Sequence, residues 1–255
     1  MRIAFGVEYD GQPFYGFQTQ KQEPTVQSCL EKAVSKVANH PVRVICAGRT
    51  DTGVSATQQI IHFETTAVRT PRQWVLGVNT AIHEGVSVLW AKQVDDTFHA
   101  RFSATSRSYQ YRILCRKVRP AINRHQLTWV LPPLDHKKMH EAAQYLLGEH
   151  DFNAFRSSKC QANNPVRTMH EARVYQVGDH IICEFRANAF LHHMIRNIVG
   201  TLLKVGKAER PVQWVEEVLL GKDRTKAGMT APPNGLMFTG VTYPHSYRVP
   251  PNETD

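Results

Sequence analysis

The segment from Cys46 to Ala56 holds the residues best suited to chemistry in this chain of 255 residues. It contains Asp51 between Gly48 and Gly53, and Arg49 stands two positions before the aspartate. An ionised carboxylate can act as a nucleophile, and a nearby guanidinium favours the ionised form. Glycines allow sharp turns or a close approach of the backbone to a ligand. The alternative is a plain hairpin turn in which Asp51 bonds to its own backbone and Arg49 faces solvent.

The tripeptide Asp51-Thr52-Gly53 also occurs in aspartic proteases, in which two carboxylates share one proton. This chain has one such tripeptide, so a protease of this kind would have to be a homodimer. Arg49 argues against a shared proton, because a positive charge nearby keeps a carboxylate ionised. The sequence therefore disfavours the protease interpretation.

Histidines and cysteines show no arrangement typical of a metal site. His192 and His193 are adjacent on a predicted helix, where neighbouring residues cannot share one face. The five cysteines are widely spaced and include no CxxC pair. This pattern argues against a zinc site and a disulfide framework. It predicts no metal and a reducing, cytoplasmic compartment.

The predicted strands and helices that position these residues form two similar series along the chain, called here the first and the second pass. In the first pass the pattern predicts strands at 2–8, 42–47, 59–64 and 86–94, a helix capped by Thr25 and a helix near 71–78. In the second it predicts strands at 107–114, 170–177, 180–187 and 236–243, a helix from Asp135 to Gly148, and helices at 192–205 and 211–220. The tail at 250–255 is expected to fray.

This order of elements predicts an α+β protein with largely antiparallel sheets. The predicted domains are 1–105, which carries the Asp51 loop, and 106–255, which completes the site. Two such lobes offer a central cleft, and a cleft is a common place for a functional site.

The charge favours a polyanionic partner. Lys and Arg number 31 against 22 Asp and Glu, which gives a net charge of +9. A surplus of this size favours nucleic acid over an anionic membrane surface. No window approaches the ~20 apolar residues of a membrane span, and the N-terminus lacks the apolar core of a signal peptide. Two basic stretches, 101–119 and 186–207, contain no Asp or Glu.

A set of ordered blocks covers the chain from Arg2 to about Tyr243. The blocks are YDG at 9–11, YGFQTQ at 15–20, TVQ at 25–27, GRTDTGV at 48–54, FHARFSA at 98–104, RSYQYR at 107–112 and NAFLHHMIRNIVG at 188–200. In this order and spacing the chain closely resembles the tRNA pseudouridine synthase A family. No single block is decisive, but the ordered combination is highly specific.

The resemblance implies a reaction, a fold and a set of roles. Members of the family isomerise uridines at positions 38, 39 and 40 of the tRNA anticodon stem-loop to pseudouridine. They use no cofactor, work as homodimers and have ferredoxin-like-derived lobes. By motif, Asp51 is the catalytic carboxylate, Arg196 pairs with it, Tyr109 packs against the target uracil, and Arg49 helps hold the target nucleotide out of the stack.

The residues themselves fit this chemistry. The reaction breaks an N-glycosidic bond and forms a C–C bond with no group lost for good, so it requires neither a redox cofactor nor a metal. An ionised Asp51 could attack the sugar C1′ or the uracil C6. The sequence departs from the family pattern at Ser55, where histidine is common, and at Phe17, where tryptophan is common.

Other interpretations of the same residues stay open. Tyr109 and Tyr111 lie on one face of a predicted strand, and strand tyrosines are often packing residues. Arg196 could bind phosphate or lie on a solvated helix face. The whole chain could be an RNA-binding protein that keeps this scaffold without catalysis, or a hydrolase with an aspartate nucleophile.

Overall fold

Ten strands and five α-helices form the part of the chain that the computed structural model describes, residues 1–250. The strands are β1 (Arg2–Tyr9), β2 (Ile45–Cys46), β3 (Ser55–Glu64), β4 (Val86–Val94), β5 (Ser106–Cys115), β6 (Thr128–Val130), β7 (Gly148–Asp151), β8 (Val166–Val177), β9 (His180–Ala187) and β10 (Leu236–Thr242). The helices are α1 (Val26–Ala38), α2 (Pro71–Ala81), α3 (His136–Gln144), α4 (Met194–Gly206) and α5 (Trp214–Gly221). Of the tail that is predicted to fray, residues 251–255 lie outside the described part of the chain.

The chain divides into two compact units between Arg107 and Ser108. The first unit contains Met1–Arg107 and the described residues from Met237 onward, and the second contains Ser108–Leu236. The predicted second domain, 106–255, extends further than the second unit. The difference arises because β10 pairs with β3 of the first unit.

In the first unit β1 pairs antiparallel with β3 on one side and with β4 on the other. β10 adds to β3 as a parallel neighbour, and the short β2 also pairs with β3. The core contains Phe5 of β1, whose ring lies 4.9 Å from that of Phe63 and 6.0 Å from that of Trp74 on α2. The sheet therefore carries β3, whose first residue directly follows the loop of Asp51.

In the second unit the strand order is β5, β9, β8, β7, with β6 parallel to β5. β8 and β9 form a hairpin whose turn contains Gly178 at φ +58°. Helix α4 is buried along most of its length and packs against α3. Leu202 and Val205 are wholly buried on α4. This packing fixes the helix whose first turn carries Arg196.

Local sequence signals set the starts of α1, α2 and α3 correctly, whereas α4 begins two residues after the predicted start at 192 and α5 three residues after the predicted start at 211. Thr25 caps α1 and Thr70 caps α2, each through a capping box in which side chain and backbone bond reciprocally. Pro71 stands in the first turn of α2, where its missing N–H costs nothing. The predicted α+β class with mostly antiparallel strand pairs is confirmed. In the described part, no helix combines the length and apolar character needed to span a bilayer.

Several predicted elements are wrong in extent. The strands predicted at 59–64 and 170–177 each begin four residues earlier, at Ser55 and Val166. The strand predicted at 42–47 is reduced to Ile45–Cys46. Val42 N–H donates to the Ser35 hydroxyl at 2.9 Å and Val44 N–H to the Glu31 carboxylate at 3.1 Å. Side chains of α1 thus use donors that a strand ladder would need.

Helix α3 ends at Gln144 and does not continue to Gly148. Gly148 instead adopts φ +94° and begins β7. β6 and β7 are short strands of three and four residues that the sequence pattern did not predict. Strands of this length carry too few residues for a period of two to be visible.

His62 makes stability depend on pH. It is 3% exposed on β3, and its Nδ1 accepts the Ala100 N–H at 3.1 Å. Burial lowers the pKa of His62 to about 4, and the neighbouring His99 and Arg2 act in the same direction. Between pH 6.5 and 4, His62 binds a proton in the unfolded chain but not in the folded chain. Stability is therefore lost as the pH falls through this range, by about 3 kcal/mol at most from this group.

We expect His62→Asn to reduce this pH dependence, because the asparagine oxygen can accept from Ala100 without titrating. The measurement is urea unfolding of both proteins at pH 7.5, 6, 5 and 4.5. The comparison uses the change with pH, so a constant offset in stability does not matter. Parallel curves for the two proteins would show that His62 does not contribute.

Candidate active site

The Asp51 loop is attached to the sheet by a buried side-chain amide. Gln59 is 0% exposed on β3. Its Nε2 donates to the Gly48 carbonyl at 2.7 Å, and its Oε1 accepts the Gly48 N–H at 3.3 Å. Ala47 N–H donates to the Ile60 carbonyl at 2.8 Å just before it. The side chain of Gln59 thus continues the pairing of β2 with β3 for one more residue.

Thr50 fixes the position directly before the aspartate. Its hydroxyl shares a 2.8 Å hydrogen bond with the Tyr9 hydroxyl, which also accepts from Gln59 at 3.4 Å. Its carbonyl accepts the Phe17 N–H at 3.0 Å. Burial raises the pKa of the Tyr9 phenol, so it stays neutral at physiological pH. Phe17 is buried with its ring 6.1 Å from that of Tyr9, which makes this departure from the family pattern a core contact.

The turn itself is closed by backbone geometry. Val54 N–H donates to the Asp51 carbonyl at 3.1 Å, and Gly53 has φ +78°. Gly16 packs on this turn at φ +84°, and a Cβ there would lie 2.9 Å from the Thr50 carbonyl oxygen. The YGF block therefore needs glycine so that its backbone can support the loop. The Asp51 side chain is half-buried, whereas Arg49 is exposed.

Ser55, where the family commonly has histidine, is part of this support. Its side chain is buried, and its Oγ accepts the Gly11 N–H at 2.9 Å. A Cβ at Gly11 would lie 2.3 Å from the Val54 carbonyl oxygen, so the two backbones are in direct contact. Ser55 thus joins the YDG block to the end of the Asp51 loop.

The two tyrosines of β5 differ in their surroundings. The buried Tyr109 ring meets the Phe190 ring edge-on, with centroids 5.1 Å apart. Tyr111 is wholly buried and donates to the Pro232 carbonyl at 2.8 Å. Because its proton is used there, its 2.6 Å bond with the Thr128 hydroxyl has Thr128 as donor. Tyr111 is a packing residue, and burial raises its pKa.

Arg196 is held in the first turn of α4. Its Nε donates to the Ala231 carbonyl at 2.8 Å, and Ala231 N–H donates back to the Arg196 carbonyl at 3.0 Å. This reciprocal pair ties both the backbone and the guanidinium of Arg196 to the segment 224–231. The side chain is half-buried. Its orientation therefore depends on how that segment is fixed.

A polar cluster around the buried Asn197, which the sequence pattern did not predict, fixes it. Asn197 is 1% exposed, and its Oδ1 accepts from the Arg224 guanidinium at 2.9 Å and the Thr230 hydroxyl at 2.7 Å. Its Nδ2 donates to the Phe155 carbonyl at 2.8 Å. A Cβ at Gly200 would lie 1.7 Å from the Met229 carbonyl oxygen. The available signal was an asparagine in an otherwise apolar helical stripe.

His192 and His193 are not on the helix, so the prediction that they occupy different helix faces is wrong. Helix α4 begins at Met194, and His193 is the residue before it, at φ +62°. The left-handed backbone brings the two rings together at a centroid distance of 4.0 Å. The His192 carbonyl accepts the Ser157 N–H at 3.0 Å.

The four predicted site residues fall into two pairs within the units. Arg49 and Asp51 belong to the loop of the first unit, and Tyr109 and Arg196 belong to the second unit. Each pair rests on elements that the buried hydrogen bonds described above hold in place. The arrangement supplies a carboxylate on a fixed turn, two cations and an aromatic ring.

Several cations of the two basic stretches are engaged within the protein. Arg107 donates to the Ala47 carbonyl at 3.3 Å and the Ala104 carbonyl at 3.1 Å. Arg186 lies 3.5 Å from Glu171. Lys204 likewise lies 3.8 Å from Glu209. A stretch without acidic residues in sequence is therefore not a stretch without acidic neighbours in space.

Comparisons with known proteins identify the family. A sequence model described as tRNA pseudouridine synthase matches residues 6–103 and 142–244. The tRNA pseudouridine synthase A of Shewanella halifaxensis is 53% identical over 250 residues, which cover 98% of this chain and 96% of the relative. That of Pseudoalteromonas atlantica is 54% identical, with 98% and 95% covered. That of Stenotrophomonas maltophilia is 51% identical over the full length of both chains. The chain belongs to the tRNA pseudouridine synthase family.

A remote likeness exists to a solved structure. It covers 93% of this chain and 49% of a chain in the crystal structure of a Cbf5–Nop10–Gar1 complex, at 13% identity and a TM-score of 0.39.

We expect Asn197→Leu to lower the free energy of unfolding by about 3 kcal/mol. The change leaves the buried Phe155 carbonyl without the Asn197 donor and removes one acceptor of the Arg224 guanidinium, which keeps its bonds to Gly228 and Thr230. The loss of a partner for a buried polar group is costly. The measurement is urea unfolding at pH 7.5. Asn163→Leu, on an exposed residue, is the matched control and should change stability by less than about 0.5 kcal/mol. Equal effects of the two changes would contradict this account of the cluster.

Proposed function

We propose that this protein isomerises uridines 38, 39 and 40 of the tRNA anticodon stem-loop to pseudouridine, with Asp51 as the nucleophile. Isomerisation of uridine in tRNA follows from the family to which the chain belongs. The proposal adds two points to this, namely that the target uridines are at positions 38, 39 and 40 and that Asp51 is the nucleophile. The observation that carries it is the braced Asp51 turn within the family block GRTDTGV.

The chemistry asks for a carboxylate that is held in place. Asp51 would attack C1′ of the sugar or C6 of the uracil and form a covalent intermediate, and the N1–C1′ bond would break. The base would then turn and form a bond from its C5 to C1′, while the bond to Asp51 breaks, the C5 proton leaves and N1 takes up a proton. A fixed turn lowers the entropic cost of reaching the reacting atom. Gln59 and Thr50 provide this restraint on the protein side.

The other three residues complete the proposed centre. Arg196 pairs with the Asp51 carboxylate and can orient it through two parallel hydrogen bonds. The bond from its Nε to Ala231 fixes the plane of the guanidinium for that contact. Tyr109 packs against the target uracil, and exposed Arg49 contacts the nucleotide that has left the stack.

The proposal includes an assembly and a location. The first and second units supply the two pairs of residues across the expected central cleft. Two copies of the chain act as a homodimer, in the cytoplasm, on folded tRNA. The reaction needs no redox cofactor in principle, because no net oxidation or reduction occurs and no group is lost for good.

Family membership disfavours the non-catalytic RNA-binding protein that the sequence alone left open. The basic charge of +9 fits it as well as it fits the enzyme. A change confined to the Asp51 carboxylate separates the two. It would abolish pseudouridine formation by an enzyme, but a protein that only binds RNA has no such activity to lose.

We expect Asp51→Asn to abolish pseudouridine formation, with a rate at least about a thousandfold below that of the unchanged protein, because the amide cannot act as the nucleophile. Binding of unmodified tRNA should stay within about threefold, since the shape of the side chain is kept. The measurement is position-by-position mapping of pseudouridine in unmodified tRNA, with filter binding alongside it. Asp96→Asn, an exposed aspartate of the same unit, is the control and should behave like the unchanged protein.

Each part of the proposal has its own contrary outcome. Normal modification by Asp51→Asn would remove Asp51 from the chemistry. Pseudouridine at positions other than 38–40 would leave the nucleophile intact and refute the positions. Binding without any modification by the unchanged protein would favour the RNA-binding protein, and release of uracil would indicate a hydrolase.

A further inference from the structure

The loop between β5 and β6 carries a compact group of cations in the second unit. We call the segment 116–127 the basic loop. It contains four cationic side chains and no Asp or Glu. Lys117, Arg119 and Arg124 are exposed, whereas Arg116 is only half-exposed. The next acidic residue along the chain is Asp135. The local charge is therefore strongly positive.

The basic loop is held in shape by its own hydrogen bonds. Arg116 donates from Nε to the Val118 carbonyl at 2.8 Å and from Nη2 to the Arg119 carbonyl at 3.4 Å. The Trp129 indole N–H donates to the Arg116 carbonyl at 2.8 Å. Arg116 is thus a brace for the loop. A preordered loop loses less conformational entropy when it binds a partner.

The three exposed cations differ from those engaged elsewhere. Within residues 1–250, Lys117, Arg119 and Arg124 form no ion pair with an acidic residue, whereas Arg186 and Lys204 do. Positive charges without counter-charges attract a polyanion and repel a like-charged surface. This arrangement favours RNA as the partner over an equivalent loop of a second copy.

Exposed apolar side chains stand among these charges. Val118 is 68% exposed and Ile122 is 81% exposed, and Trp129 at the end of the loop is 41% exposed. Apolar and aromatic groups between cations can pack on ribose and base faces while the cations contact phosphates. The loop therefore offers both kinds of contact that a folded RNA uses.

We propose that the basic loop is a phosphate-binding surface for the tRNA substrate, with Lys117, Arg119 and Arg124 as its contacts. The proposal rests on tRNA being the substrate, as proposed above, and adds a surface outside the four site residues. It assigns these cations to binding and not to the chemical step.

Counterion release gives the proposal a measurable signature. Each phosphate contact contributes about 0.7 to 0.9 to the slope of the logarithm of affinity against the logarithm of salt concentration. Removing three contacts should make the slope less steep by about 2 to 3. At 0.1 M salt the affinity should fall by about tenfold to a hundredfold.

The experiment compares two triple variants with the same change in net charge. The test variant carries Lys117→Ala, Arg119→Ala and Arg124→Ala. The control carries Lys32→Ala, Lys36→Ala and Arg72→Ala, three exposed cations on α1 and α2 of the first unit. Binding of full-length unmodified tRNA is measured by filter binding from 0.05 to 0.3 M salt. Pseudouridine formation is measured over a range of tRNA concentrations, and the oligomeric state by analytical ultracentrifugation.

We expect the test variant to show the shallower salt slope, a raised KM and an unchanged kcat, and the control to show an unchanged slope. An unchanged slope in the test variant would overturn the proposal. Equal loss of slope in both variants would also overturn it, because it would mean that only overall charge matters. A change in oligomeric state with an unchanged slope would assign the loop to contacts between copies.

Failure of this proposal is distinguishable from failure of the proposed function. The salt slope is measured without turnover, so it can fall in a protein that forms no pseudouridine. That result would support the loop and refute the enzyme. Normal pseudouridine formation with an unchanged slope in the test variant would overturn the assignment of the basic loop and leave the proposed function intact.

Discussion

The exchange of hydrogen bonds between the Gln59 amide and the Gly48 peptide is the constraint on which the Asp51 loop depends. The amide is fully buried, and a buried amide without partners costs about 1–3 kcal/mol. The loop therefore cannot leave the sheet without exposing or orphaning these groups. Tyr9 connects the same amide to Thr50, the residue before the aspartate. The position of the half-buried Asp51 side chain is thus set by buried hydrogen bonds of its neighbours.

The second unit solves the same problem by a different route. Here the side chain to be fixed, Arg196, lies on a helix, and a helix alone determines the position of its backbone but not of a long side chain. Ala231 receives the guanidinium, and Asn197 holds the segment that contains Ala231 through Thr230 and Arg224. Gly200 lets this segment approach the helix to within backbone contact. Each unit therefore uses one buried side-chain amide to fix a group. Gln59 fixes the Asp51 loop, and Asn197 fixes the segment that holds the Arg196 side chain.

Features that depend on a few adjacent residues could be predicted from the sequence, and features that depend on distant partners could not. Local patterns predict the helix cap at Thr25 and the α+β class. The ordered sequence blocks predict the family. The shortening of β2 could not be predicted, because it results from α1 side chains that take the N–H groups of Val42 and Val44. The αL backbone of His193 had no signal either, because a non-glycine residue at positive φ is rare. Asn197 was visible as a polar residue in an apolar stripe, but the partners of its side chain lie 27 or more residues away in sequence.

The distribution of charge shows why sequence and space must be considered separately. The stretch 186–207 has no acidic residue, yet Arg186 lies beside Glu171, which comes from the paired strand β8. Antiparallel pairing places residues opposite each other that are far apart in sequence, and an ion pair formed in this way cancels much of the field of each charge. The net charge of +9 counts all cations equally, but a phosphate responds to those whose charge is not already compensated. Attraction of RNA to this protein is therefore expected to depend on the exposed cations that no acidic neighbour compensates, and not on the net charge alone.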